Sequence, residues 1–155
     1  MSGLLMERLQ FIKGLDPVAD AFAGTVASDV VDMSEFSRIV FLRYDGVGAT
    51  GTSTVTVEAC DDIVPTTTTA VPFRYRIDHE GDEGVLAAAA AAGFNTPAGS
   101  SKLVAVEVRE DALASTGYRY VRAKFVEVVD SPVLGAVLIF GEAKAGRAQK
   151  LSAID

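Results

Sequence analysis

The 155-residue sequence contains one cysteine, one histidine and no tryptophan. A single thiol cannot close an internal disulfide or build a cysteine-rich zinc site, and a reducing, intracellular place of synthesis is the simplest reading. One imidazole leaves few ways to assemble a histidine-based acid/base pair or activated nucleophile. There is no apolar run of transmembrane length. The opening MSGLLMERLQFIKG has neither a basic n-region nor a long apolar core, so it does not read as a signal peptide. Basic residues are also in deficit. Fourteen Lys and Arg against 21 Asp and Glu give a net charge of -7, which argues against general binding to nucleic acid or to an anionic membrane. Also missing are the short catalytic signatures: no GxSxG, no HExxH, no P-loop, and no GxGxxG placed after a strand.

What is present is a chain of 49% hydrophobic residues, long enough to bury one real core. From residue 25 onward its hydrophobic period is two. RIVFLRY (Arg38 to Tyr44) puts Ile39 and Phe41 on one face and Val40 and Leu42 on the other. TVTVEAC sets Val55, Val57 and Ala59 against Thr54, Thr56 and Glu58. VPFRYRI turns Phe73, Tyr75 and Ile77 one way and Arg74 and Arg76 the other, with Pro72 at its start or at a sheet edge. LVAVEV (Leu103 to Val108), YRYVRAKFVEVV and VLGAVLIFGE (Val133 to Glu142) complete six strong strands. In the second of these the parity changes after Phe125, which calls for a bulge nearby. GVGATGTS reads as a glycine-rich hairpin between two strands. Together these segments predict an all-β single domain, a sandwich or jelly roll, over residues 25–142.

Two segments depart from that rhythm. In residues 1–24, Leu4, Leu5, Leu9 and Ile12 fall near helical spacing before Gly14 and Pro17. This predicts a short amphipathic helix or arm, and Leu4, Leu5, Leu9, Phe11 and Ile12 are its candidate partner-contact residues. In VLAAAAAAGF, alanine propensity favours a helix over Val85 to Ala92, while the flanking glycines suit a loop crossing between sheets. Residues 143–155 read as a small, polar tail.

The candidate chemistry is sparse. Cys60 sits beside Asp61 and Asp62, and neighbouring carboxylates disfavour a thiolate, so a structural cysteine is expected. Asp61 and Asp62 match no calcium loop. Asp78, Glu80, Asp82 and Glu83, with His79, form the densest acidic cluster and read as a solvated loop. No catalytic, cofactor-binding or metal-ligating residue is assigned, and the chain is expected not to be an enzyme. Tyr118, Arg119, Tyr120, Arg122 and Lys124 interleave aromatic and basic residues, which keeps a carbohydrate-binding face in view.

Two strings, TVTVEACDDIVPTTTTAVPFRYRI and the later TGYRYVRAKFVEVVDSPVLGAVLI, resemble a family of small proteins from the head modules of tailed phages and prophages. These are the capsid decoration, or cement, proteins, and the likeness runs from about Val31 to Glu142. The resemblance implies a structural virion protein, made in the host cytoplasm, that binds the outside of the capsid lattice and stabilises the head. Its implied partners are the major capsid protein and two further copies of itself in a homotrimer, with no nucleic acid, membrane or cofactor. Another phage component, such as a tail or head–tail connector protein, is the nearest alternative.

Overall fold

A computed structural model describes residues 4–144. Twelve strands follow one helical turn, α1 (Leu5–Arg8). They are β1 (Leu9–Val18), β2 (Thr25–Ala27), β3 (Val31–Asp32), β4 (Phe36–Asp45), β5 (Thr52–Cys60) and β6 (Thr68–Val71), then β7 (Phe73–His79), β8 (Ala87–Ala89), β9 (Phe94–Asn95), β10 (Lys102–Arg109), β11 (Tyr120–Val129) and β12 (Gly135–Ala143). Sheet A has the order β1-β12-β4-β10-β7-β8. Sheet B has the order β2-β11-β5-β6, with β3 also on β11 and β9 on β5. Every pairing is antiparallel. The protein is an all-β sandwich, as the period-two pattern predicts.

The core lies between the sheets and is built from alternate residues. Ile39 and Phe41 of β4, Val104 and Val106 of β10, and Val137 and Ile139 of β12 descend from sheet A. They meet Val55, Val57 and Ala59 of β5 and Val121, Ala123 and Phe125 of β11. Such face-to-face burial of branched and aromatic side chains is the main stabilising term of a sandwich. The chain changes sheets at places the sequence marks. Pro72 separates β6 in sheet B from β7 in sheet A, and a residue without an amide proton suits that corner.

Four expectations are corrected. The N-terminal helix is one turn only, and Leu9–Val18 is a ten-residue strand paired to β12, so the sandwich starts at Leu9 instead of residue 25. A helix this short gains little in water, whereas β12 offers an open edge and the core accepts Ile12. GVGATGTS is not a hairpin, because β4 and β5 belong to different sheets. The alanine run forms no helix: β8 lies in sheet A and β9 in sheet B, joined through Gly93 at φ 79°, so this is the crossing. The bulge in β11 falls between Glu127 and Val129, slightly after Phe125. Of the polar tail, only Ala143 and Lys144 lie within the described residues, the first of them ending β12.

Ile12→Ala should therefore lower stability by about 2–4 kcal/mol in urea unfolding, the range for an emptied aliphatic core position. Removing residues 1–8 should leave the midpoint within the error of the wild type. An unaffected Ile12→Ala protein would mean that β1 is not part of the folded body.

Candidate interaction face

The outward residues of the two sheets differ in kind. On sheet A, Phe11, Phe140 and Val40 stand side by side across β1, β12 and β4. The next row is Lys13, Leu138, Leu42 and Ala105, and the next Ala136, Tyr44 and Leu103. These residues alternate with buried ones, so they point away from the core. Phe11 is 50% exposed, Tyr44 54% and Leu138 50%. Phe11 and Phe140 meet edge to face at 5.2 Å. Beside them a groove of about 280 Å³ opens between α1 and the sheet, floored by Leu5, Leu9, Val40 and Phe140. Arg8 and Arg38 close its rim on Glu142, at 3.0 and 2.6 Å. Contiguous apolar strips of this kind are where small domains meet proteins, membranes or ligands.

The outer face of sheet B has its charges closed on one another. Glu58 accepts from Arg122 Nε at 2.9 Å and from Lys124 Nζ at 3.1 Å, and is itself buried. Arg119 lies against the Tyr120 ring and 3.4 Å from Asp32. The basic residues singled out in the sequence are thus engaged with carboxylates of their own chain, and the Tyr120 hydroxyl accepts from Arg119.

Beneath the apolar strip is a feature the sequence reading missed. Arg43 and Asp45 share the inward parity of Ile39 and Phe41, and Lys102 shares that of Val104. All three are sealed in the interior, at 1%, 0% and 0% exposure. Asp45 takes two bonds from Arg43 (Nε 2.7 Å, Nη2 3.0 Å) and lies 3.1 Å from Lys102 Nζ. Lys102 also donates to the Gly99 carbonyl at 2.7 Å. The Arg43 guanidinium stacks 3.7 Å above the Phe22 ring, and its Nη1 has no hydrogen-bond partner. Alternation already grouped 43 and 45 with Ile39 and Phe41, and 102 with Val104; which face is inward is seen only in the packed sheets.

The other sequence candidates fall as follows. Leu4 and Leu5 are exposed on or beside α1, Leu9 is half-buried, Phe11 joins the outer strip, and Ile12 belongs to the core. Cys60 is buried at the end of β5, and burial pushes its thiol up to about 11. Arg122 opposes that shift, while Glu58 and Asp61 add to it. Asp61 accepts from the Thr66 hydroxyl and from the Thr66 and Thr67 amides, and these bonds hold its carboxyl below the usual range. In the acidic loop, Asp78 binds Arg76 and the Gly84 amide, and Glu83 binds Arg76 at 2.8 Å. Among the described residues, no three His, Cys, Asp or Glu side chains are grouped to hold a metal ion. The chain matches no protein-family model and no curated protein.

Asp45→Asn should cost about 3–5 kcal/mol, because it leaves two buried cations with no anion. Chemical denaturation monitored by circular dichroism measures it, and a loss under 1 kcal/mol would show that the cations are not sealed in. For Cys60 the sign follows from its raised folded value. The protonated thiol stabilises the fold fully below the unfolded pKa, and that contribution is lost as pH rises from about 9 to about 11. Wild-type stability should fall over that window by up to about 2–3 kcal/mol more than that of Cys60→Ala.

Proposed function

We propose that this chain is a structural component of a phage particle, a decoration protein that binds the outside of the capsid lattice and stabilises the head, with the major capsid protein as its partner. The observation that carries the reading is the apolar strip on the outer face of sheet A, centred on Phe11, Leu138 and Tyr44. A sheet face of this composition is suited to packing against protein. Two further features support it. The strings that resemble decoration proteins fall on the sandwich strands from β5 onward. The charged loops are bound back to their own chain, as Asp61 and Asp78 illustrate, which suits a rigid body better than a reacting centre. Leu4, Leu5, Leu9 and Phe11 are further candidate contacts, all at one end of sheet A.

The test is binding to the native particle. Purified protein added to heads that lack it should co-sediment saturably, in copies matching a class of lattice site, and should raise the melting temperature of the head. A ligand that binds only the assembled state must stabilise it. No co-sedimentation would overturn the reading. A copy number fitting a single vertex or the tail would move the protein to the connector or tail.

A further inference from the structure

We infer that the capsid partner meets the α1 end of sheet A with a large apolar side chain and a nearby carboxylate, the first seated in the groove under α1 and the second on the arginines beside it. This rests on the decoration reading and adds the chemistry of the surface that the strip would meet.

Two outward rows end the sheet here. One is Leu9, Glu142, Arg38 and Arg109, and the next is Phe11, Phe140, Val40, Glu107 and Arg74. Towards β1 the corner is apolar, and Leu9, Val40 and Phe140 join Leu5 of α1 in the groove. Towards β10 and β7 it is basic. Arg38 and Arg109 stand directly opposite each other on β4 and β10. Like charges in that position repel and destabilise a sheet.

The chain does not neutralise this corner itself. Glu142 is shared between Arg38 at 2.6 Å and Arg8 at 3.0 Å. Arg74 and Arg109 are exposed and form no ion pair among the described residues. Glu7 caps the Leu4 amide, and Glu110 is bound to Lys144. Arg8, Arg38, Arg74 and Arg109 thus face only Glu142 and Glu107, although the chain as a whole carries -7. An arginine set against another arginine, with no carboxylate of its own, suits an anion supplied from outside. A protein carboxylate fits better than a nucleic-acid phosphate, because the adjoining groove is apolar and the acidic chain opposes a polyanion.

The spacing follows from the strand. Arg38 and Val40 lie on one face two residues apart, which is ~6.8 Å. An extended partner segment covers the same distance in about two residues. An apolar side chain over Val40 and Phe140 therefore leaves a carboxylate about two positions along within reach of Arg38 and Arg109.

Co-sedimentation with heads that lack the protein, titrated to a dissociation constant, tests this. Wild-type affinity should fall as salt rises from about 0.01 M to about 0.15 M, because charges at the rim of a contact are screened. Arg109→Gln should weaken binding about tenfold. The same change should leave the thermal midpoint of the free protein equal or higher, because it removes a repulsion. Val126→Glu alters net charge equally on the outer face of sheet B and should bind as the wild type does. Leu5→Asp, on the exposed wall of the groove, should weaken binding about as much as Arg109→Gln. Arg109→Lys should keep binding, and carbodiimide should couple the new amine to a capsid carboxylate that has a large apolar residue within about three positions. Wild-type protein that does not bind heads overturns the decoration reading and this inference with it. Saturable binding that salt, Arg109→Gln and Leu5→Asp leave intact overturns this inference alone. So does a loss in Arg109→Gln that Val126→Glu matches, or coupling to a carboxylate without an apolar neighbour. Retardation of a short DNA duplex that Arg109→Gln abolishes would assign the arginines to nucleic acid and overturn it as well.

Discussion

The structure depends on one carboxylate shared by two cations inside the sandwich. Asp45 receives Arg43 along its own strand and Lys102 from the residue directly opposite on β10. Charges removed from water are costly unless their geometry is met closely, so the surroundings are constrained in turn. Phe22 lends its ring to the guanidinium, and Gly135 must stay bare because a Cβ there would lie 2.8 Å from both the Phe22 ring and the Tyr44 carbonyl. Nearby, the ends of β4, β10 and β12 are tied by backbone bonds from Gly46 to Leu134 and from Ser101 to Gly46.

That triad also sets what the surface looks like. A one-residue slip of β10 would turn Lys102 outward and Leu103 into the core, inverting every side chain after it. With Lys102 held opposite Asp45, the outward row is Ala136, Tyr44 and Leu103, and the apolar strip follows from it. The buried ions therefore act on the surface through register. They help decide which side chains sheet A turns outward.

The two outer faces then divide the work. On sheet B, Glu58 neutralises Arg122 and Lys124, and the loop after Cys60 folds onto Asp61, so little there is left unmet. On sheet A the centre is apolar and charges stand at the margin. The open apolar strip is what the decoration proposal rests on.

The sequence by itself determined the fold class and six of the seven long strands, because a half-buried strand must alternate and these segments do. Its parity grouped Arg43 and Asp45 with Ile39 and Phe41, and Lys102 with Val104, but with apolar residues on both faces of β4 and β10 only the packing of the sheets decided which face is inward. Tertiary structure alone decided the rest. Leu4 to Ile12 has a spacing compatible with a helix, and only the open edge of β12 makes its second half a strand. The alanine run favours helix locally, yet β7 supplies hydrogen bonds to Ala87–Ala89 and Gly93 turns the chain to the other sheet. The outer strip was not legible because its residues lie on β1, β12, β4 and β10, from Phe11 to Phe140. Alternation tells which way a side chain points within its own strand, but adjacency between strands is set by hydrogen-bonded register across the whole chain.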